Sequence, residues 1–254
     1  MAHILAVVNQ KGGVGKSTTA QTIGNWLSQR GDPVLFVDLD PQGNLTYALS
    51  ADASEATSGA FQMLVNQEPA STAITKTAQG DLIASSPELV QLDQLLAGKH
   101  GRESRLRDAL TSVDSAYRYI ILDTPPALGS AVVNALTAAG TVVVPTQADI
   151  FSLQGLGQLS GTISTVQQYS NPDLTIAGIL ITRYNRRTLL SKQITEMLDN
   201  TAAQLHTKVF SSRIREAVAI KEAQALRTNV VAYAKGSRVA GDIDSFMHEL
   251  LEER

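Results

Sequence analysis

The sequence contains no cysteine among its 254 residues. This absence excludes disulfide bonds, zinc–thiolate centres and cysteine-ligated iron–sulfur clusters, and it suits a reducing compartment. The four histidines stand far apart and give no metal-site spacing. No uncharged apolar run reaches the roughly 18 residues that a membrane span needs, and the first residues do not form a charged segment followed by an apolar core. We therefore expect a cytoplasmic protein with no membrane partner.

The charged residues are distributed unevenly, although the formal net charge is only −3. From residue 183 to residue 238 there are eleven lysines and arginines but four acids, whereas the rest of the chain has ten bases and twenty acids. Such an asymmetry is typical of a surface that binds a polyanion. A solvated helical surface without a partner would have the same pattern, so charge alone leaves both interpretations open.

Apolar, β-branched segments alternate with helical patterns along the chain. The predicted strands are residues 3–8, 33–38, 81–85, 117–123, 141–145, 174–182 and 208–210. The predicted helices are residues 16–30, 88–97, 102–113, 129–139, 153–168, 188–204, 217–227 and 238–252. This alternation predicts an α/β fold with a doubly wound, mostly parallel twisted sheet, helices on both faces and one domain over residues 1–254. Residues 50–80 have the weakest pattern and are expected to form short helices and loops.

The stretch VVNQKGGVGKSTTA, residues 7–20, places a glycine-rich loop between the first strand and the first helix. This order of elements is the context in which a loop binds phosphate. Gly12, Gly13 and Gly15 are expected to let backbone N–H groups point at phosphate oxygens, in conformations that a side chain would forbid. The usual phosphate-loop pattern has a glycine five residues before Gly15, but Gln10 stands there.

The loop does match the pattern K-G-G-x-G-K-[S/T], and in this it resembles the deviant Walker A motif of the ParA/MinD superfamily. The resemblance implies that Lys11 crosses a nucleotide-sandwich homodimer and touches the phosphates held by the other subunit. It also implies that Lys16 reaches the β- and γ-phosphates, Ser17 places its hydroxyl on Mg²⁺ and Thr18 donates to the α-phosphate. The implied ATP-binding residues are Lys11, Gly12, Gly13, Val14, Gly15, Lys16, Ser17 and Thr18, with Lys11 and Lys16 also catalytic.

Carboxylates follow two of the predicted strands. The run FVDLDPQGN resembles the first switch segment of ParA-type ATPases, which implies that Asp40 orients the attacking water and that Asp38 lies near the magnesium shell. Asp123, in YIILDTPPALG, ends a buried strand and fits a Walker B role, holding Mg²⁺ through water. Ser17, Asp38 and Asp123 are thus the predicted metal residues. Strand-end acids that only cap the next helix or turn are the alternative.

Two basic segments resemble the DNA-binding parts of ParA proteins. In ILITRYNRRTLLSKQI, Arg187 matches an arginine that contributes to nonspecific DNA binding in the family, and Arg186 is its neighbour. VFSSRIREAVAIKEAQAL resembles the family segment beside the adenine but has Arg215 where the family has proline. We expect Arg215 near the nucleotide, and Arg213, Arg215 and Lys221 as further DNA contacts.

Taken together, the resemblance implies a ParA-type partition ATPase that uses ATP and Mg²⁺, dimerises with ATP and binds nonspecific nucleoid DNA in the cytoplasm. A ParB-like centromere-binding protein would be its partner. The acidic run GDIDSFMHELLEER differs from the basic membrane helix of MinD, and no helix-turn-helix precedes the first strand. Two alternatives remain: a relative that positions a protein cargo, and a metabolic ATP-dependent ligase or amidating enzyme on the same fold.

Overall fold

The computed structural model describes residues 1–49, 58–184 and 190–252, apart from the side chains of residues 150–151 and 190–195. Eight strands in this part of the chain form one sheet. They are β1 His3–Val7, β2 Val34–Asp38, β3 Ile74–Thr75, β4 Asp81–Ile83, β5 Tyr119–Asp123, β6 Thr141–Thr146, β7 Thr175–Tyr184 and β8 Val209–Arg215. Their order across the sheet is β3-β4-β2-β5-β1-β6-β7-β8, and every neighbouring pair is parallel except β3 with β4.

The α-helices connect these strands. They are α1 Lys16–Gln29, α2 Asn44–Ala48, α3 Ala60–Val65, α4 Leu92–Leu96, α5 Arg105–Leu110, α6 Ser130–Ala138, α7 Ile150–Tyr169, α8 Leu190–Gln204, α9 Val218–Ala225, α10 Val230–Tyr233 and α11 Arg238–Leu251. In the described ranges, no helix is both long enough and apolar enough to cross a membrane.

The predicted fold class is confirmed, with differences at the two edges of the sheet. The edge strand β3 was not predicted, because two residues are too few to show an alternating pattern. At the other edge, β8 continues five residues beyond the predicted end at residue 210 and reaches Arg215. The predicted helix over residues 88–97 is a 3₁₀ turn at Pro87–Gln91 followed by the short α4.

Two apolar cores lie on opposite faces of the sheet, because successive side chains of a strand point to opposite sides. Ala6 of β1 and Val37 of β2 belong to the core covered by α3 to α8. Leu5 of β1 and Phe36 of β2 belong to the core covered by α1, α2 and α9 to α11. Both β2 and β5 are buried along their whole length, as expected of central parallel strands.

The position of α1 depends on one close contact with the sheet. A Cβ atom added at Gly24 would lie 2.2 Å from the ring of Phe36 on β2, so only glycine allows this approach. The helix packs against β1, β2 and β5. Its first turn is therefore held at the carboxyl ends of the central strands, where the glycine-rich loop begins.

The outer edge of the sheet is held by α11. Between the pairs Ile179 with Val209 and Ile181 with Arg213, β8 contains two more residues than β7, so its ladder is interrupted. The N–H groups of Ser211 and Ser212 donate instead to the two carboxylate oxygens of Glu249 on α11, at 2.8 and 2.9 Å. The same helix thus satisfies backbone donors that an edge strand would otherwise leave exposed.

Candidate functional site

The loop between β1 and α1 lies at the carboxyl end of the sheet, where open α/β sheets bind ligands. Gly13 and Gly15 have φ values of +74° and +89°, in the left-handed region that favours glycine. Gly12 is outside that region and a Cβ atom there would meet nothing within 4 Å, so the expectation that all three glycines are conformationally required is wrong for Gly12. Among the described residues, no side chain caps the first turn of α1, so its N–H groups can bind an anion.

Side chains from distant segments hold this loop in place. The amide of Asn9 donates to the carbonyl of Pro145 at 2.7 Å, and its oxygen accepts from the backbone N–H of Lys11 at 2.9 Å. The hydroxyl of Thr182 donates to the carbonyl of Val14 at 2.7 Å. The loop is therefore fixed to β6 and β7, which lie next to each other on one side of β1.

Lys16 lies inside the loop with its ammonium group directed into the site. The residue is 7% exposed, and its Nζ donates to the carbonyl of Lys11 at 3.1 Å. Burial lowers the pKa of Lys16, while the carboxylates of Asp123 and Asp40 act in the opposite direction. A buried cation beside free backbone amides favours a ligand with several negative charges.

Two carboxylates stand side by side because of the strand register. Asp38 ends β2, Asp123 ends β5, and the two residues are direct partners in the parallel ladder. Asp38 accepts hydrogen bonds from the N–H and the hydroxyl of Thr46, both at 2.8 Å, and from the N–H of Asp40 at 3.1 Å. Burial raises the pKa of Asp38 to about 6, because the desolvation outweighs these hydrogen bonds.

Asp123 has fewer hydrogen bonds than Asp38. Both of its oxygens are buried without a hydrogen-bond partner in the part of the chain that the structure describes. Burial and the charge of Asp38 raise its pKa well above the usual range. The hydroxyl of Ser17 faces Asp123 closely enough to lower that pKa, though with geometry short of a full hydrogen bond. Unpartnered carboxylate oxygens beside a hydroxyl fit a bound divalent cation.

The described residues contain no group of three or more His, Cys, Asp or Glu side chains that could hold a metal by themselves. Mg²⁺ in proteins is commonly held by one or two carboxylates together with phosphate oxygens and water. The set of Ser17, Asp38 and Asp123 therefore fits a magnesium ion that arrives with a phosphate ligand. Residues of this set would hold the ion, which would neutralise charge on the phosphates.

Asp40 faces an open cavity of about 480 Å³ next to the loop. It is 6% exposed, and one of its oxygens accepts from the N–H of Gln42 at 3.0 Å. The cavity brings six of the eight predicted ATP-binding residues together with Asp40, whereas Lys11 and the buried Val14 do not line it. Its lining includes Gly12, Gly13, Gly15, Lys16, Ser17, Thr18 and Asp40.

The other lysine of the loop, Lys11, is engaged within its own chain. Its ammonium group forms an ion pair with Asp149, which also caps the first turn of α7 by accepting from the N–H of Ser152 at 3.1 Å. Burial alone would raise the pKa of Asp149, but the bonds to Lys11 and Ser152 outweigh it and lower the pKa. The sequence analysis did not identify Asp149, because nothing local connects it with the glycine-rich loop.

The predicted DNA-binding residues that the structure describes lie on β8 and α9. The guanidinium of Arg213 lies over the ring of Tyr184, 4.6 Å from its centre. Arg215, also predicted near the nucleotide, donates two hydrogen bonds to the carboxylate of Asp242 at 2.5 and 2.6 Å. Lys221 pairs with Glu216 at 2.8 Å. Arg186 and Arg187 lie outside the described residues.

A second, smaller cavity of about 80 Å³ adjoins the first. Its exposed surface is mostly apolar and includes Leu180, Ile214 and Ile220, although polar and charged residues such as Arg215 and Glu216 also border it. Four residues border both cavities, and they are Gly15, Thr18, Arg183 and Gln224. A polar, glycine-lined cavity beside a narrow apolar one suits a ligand with a phosphate chain at one end and a flat ring at the other. The sequence analysis identified neither Arg183 nor Gln224.

The chain is similar in sequence to known proteins. A family model described as an AAA domain matches residues 2–176. The sporulation initiation inhibitor protein Soj of Bacillus subtilis is 37% identical over 242 residues, which is 94% of each chain. The chromosome partitioning protein ParA of Caulobacter vibrioides is 37% identical over 235 residues, covering 91% of this chain and 87% of its own.

Solved structures give two kinds of similarity. Cobyrinic acid a,c-diamide synthase from Mycobacterium smegmatis, bound to an ATP analog and magnesium, has a TM-score of 0.83 at 33% identity and covers 100% of this chain and 98% of its own. The ATP complex of McdA from Cyanothece has a TM-score of 0.87 at 22% identity and covers 99% and 96%. The second similarity is one of fold alone.

Proposed function

Because the chain belongs to the ParA/MinD family of P-loop ATPases, with chromosome partitioning proteins among its relatives, we propose that it is a partition ATPase. One domain would bind ATP with Mg²⁺, hydrolyse it and couple the nucleotide state to DNA binding. The observation that carries the proposal is the 480 Å³ cavity in which the glycine-rich loop, buried Lys16 and Asp40 face one another. Relatives with bound nucleotide and magnesium support the choice of ligand.

In the proposed reaction, water attacks the γ-phosphorus, and the bond to the bridging oxygen breaks to give ADP and phosphate. Lys16 and the loop N–H groups hold the β- and γ-phosphate oxygens and stabilise the charge that develops there. Asp40 orients the attacking water through its carboxylate. Ser17, Asp38 and Asp123 hold the magnesium, which neutralises phosphate charge when bound.

Dimerisation is the second part of the proposal. Two triphosphates that face each other across an interface repel, and a lysine from the opposite subunit offsets that charge. Lys11 would provide this contact after leaving Asp149, its partner within the chain. ATP then favours the dimer, because the γ-phosphate is part of the interface.

The ATP dimer would bind nucleoid DNA without sequence preference and release it when a ParB-like partner stimulates hydrolysis. Among the described candidates, Arg213 is the best placed for DNA, because Arg215 and Lys221 already pair with acids. Arg186 and Arg187, which lie outside the described residues, are further candidates from the sequence resemblance alone. Phosphate contacts give affinity that depends on salt and not on sequence.

A mobility-shift titration with two unrelated duplexes, with and without ATP, tests this proposal. We expect binding to both duplexes only with ATP, and Arg213→Ala to reduce the slope of log K against log salt by about one unit. Arg118→Ala is the matched control, because Arg118 is exposed at the opposite end of the sheet beside Asp32. Strong preference for one duplex, or ATP-independent binding, would contradict a nonspecific partition role.

Two alternative functions have distinct tests. The similarity to cobyrinic acid a,c-diamide synthase favours an amidating enzyme as the second candidate. If ATP hydrolysis required cobyrinic acid and ammonium and its rate did not change when DNA was added, the amidating enzyme would replace the partition ATPase as the proposed function. A relative that positions a protein cargo would have the same ATPase chemistry. It would be recognised by stimulation from a cargo adaptor protein and not from a DNA-binding protein that marks a centromere.

A further inference from the structure

One strand of the sheet contains an unusual residue at the edge of the nucleotide cavity. Arg183 has a φ of +49° although it lies within β7. Between the pairs Ile181 with Arg213 and Tyr184 with Arg215, β7 advances three residues and β8 advances two. The extra residue makes a bulge, and bulges beside active sites redirect a side chain.

In the described part of the chain, this left-handed residue stands at a strand bulge and not at the end of a helix. The other positive-φ residues that are not glycine in the described ranges are Gln67, His206 and Arg227, and each stands two residues after the end of a helix. A left-handed residue is a common way to end a helix, but it is not a way to continue a strand. Such a conformation is energetically unfavourable and is kept where the surrounding structure holds it in place, often at active sites and ligand-binding positions.

The bulge places Arg183 between the two cavities. It borders both the glycine-lined cavity and the smaller apolar one, together with Gly15, Thr18 and Gln224. The preceding residue, Thr182, donates to the carbonyls of Val14 and Thr146 at 2.7 and 3.0 Å. The backbone before Arg183 is therefore tied to the phosphate-binding loop, which fixes the distance between them.

The guanidinium group itself is available for a ligand. Within the residues that the structure describes, the side chain of Arg183 has no hydrogen bond and no ion pair. The charge of Arg183 acts on the carboxylate of Glu216, but that carboxylate pairs with Lys221 at 2.8 Å. Arg183 is exposed at the cavity rim, so a ligand can reach it from solvent.

We propose that Arg183 is a nucleotide-positioning residue that binds the α-phosphate at the junction of the two cavities. The inference rests on the proposed ATP binding and adds a contact to it. If the phosphate chain fills the glycine-lined cavity and the base fills the apolar one, the group between them faces the α-phosphate. A planar guanidinium can donate two parallel hydrogen bonds to phosphate and does not lose its charge at physiological pH.

Calorimetric titrations with ATP, ADP and adenosine test the assignment. Arg183→Ala should lower the affinities for ATP and ADP by about 10-fold each, because both nucleotides contain the α-phosphate. The affinity for adenosine, which has no phosphate, should not change. Arg183→Lys should recover part of the loss. Unchanged affinities would overturn the inference, and so would a loss confined to ATP, which would place the contact at the γ-phosphate.

A stability measurement separates a ligand contact from a structural role. Arg183→Gly should raise the melting temperature of the nucleotide-free protein by about 2–4 °C, because glycine relieves the left-handed strain. It should lower the affinity for ADP as much as Arg183→Ala does. His206→Gly is the matched control, since it relieves similar strain away from the cavities and should leave ADP affinity unchanged. A lower melting temperature in Arg183→Gly would overturn the inference in favour of a structural role.

Two further outcomes complete the test. If Arg183→Ala keeps its affinity for ADP but loses DNA binding, the residue belongs to the DNA surface and the inference is wrong. If the wild-type protein binds neither ATP nor ADP, the proposed ATPase function fails and this inference fails with it. Normal wild-type binding with unaffected variants refutes the role of Arg183 alone.

Discussion

The attachment of β8 to α11 allows a quantitative prediction for Glu249. Its two oxygens accept from the N–H groups of Ser211 and Ser212, and its carboxylate is 3.6 Å from the ammonium of Lys208. Glu249→Gln keeps one acceptor but turns an amide NH₂ toward the other N–H group. We expect the variant to lose stability, because a backbone donor becomes unsatisfied at the edge of the sheet.

The pKa of Glu249 gives the size and the pH dependence of the effect. Burial would raise this pKa, but the hydrogen bonds from Ser212 and Ser211 outweigh it and lower the pKa from 4.5 to about 2. At about 1.4 kcal/mol per pKa unit, the difference sets an upper limit of about 3 kcal/mol. Solvent reaches part of the side chain and screens the interaction, so we expect about 1–2 kcal/mol.

The direction in which this stabilisation changes with pH follows from the lowered pKa of Glu249. Above the unfolded-state pKa of 4.5 the carboxylate is charged in both states, and the stabilisation is complete. As the pH falls from 4.5 toward 2, the unfolded chain takes up the proton first and the stabilisation is lost. The free-energy difference between wild type and Glu249→Gln should therefore be constant above pH 4.5 and shrink below it.

Urea unfolding followed by circular dichroism measures this difference at several pH values. Glu252→Gln is the matched control, because Glu252 follows the same helix, is exposed, and its side chain bonds to no residue in the described part of the chain. A cost below about 0.3 kcal/mol for Glu249→Gln would place it with ordinary surface charges and refute the reasoning. A difference that stays constant down to about pH 3 would refute the linkage to this carboxylate.

Three predictions concern the nucleotide site. Lys16→Ala should abolish ATP binding measured by calorimetry, since no other buried cation faces the phosphates among the described residues; affinity near that of the wild type would contradict the phosphate-loop assignment. Lys11→Ala should still bind ATP but should not dimerise with a nonhydrolysable analogue in size-exclusion chromatography. Asp149→Ala should dimerise at a lower nucleotide concentration than the wild type. Its free energy of unfolding should fall by about 1 kcal/mol, because the cap of α7 is lost. Asp40→Ala should bind ATP, hydrolyse it at least 10-fold more slowly and accumulate on DNA; loss of ATP binding would assign Asp40 to the fold instead.

Local features of the sequence were sufficient to predict the architecture and to suggest a candidate site. Continuous apolar runs indicated the central strands, and a glycine-rich loop between a strand and a helix indicated a candidate phosphate site. These signals are local, because they depend on side-chain period and on the conformational freedom of glycine. The fold class is confirmed on that basis, while the roles of Lys11, Asp40 and Asp123 remain predictions.

Contacts between distant parts of the chain decided the rest. Asp38 and Asp123 become partners through strand register, and Lys11 meets Asp149 across 138 residues of sequence. The bulge at Arg183 depends on how β7 pairs with β8, and an arginine at that position does not predict it. Local propensity carries no information about register or long-range pairing. Only the tertiary structure could show which charges of the site were already paired and which remained available to a ligand.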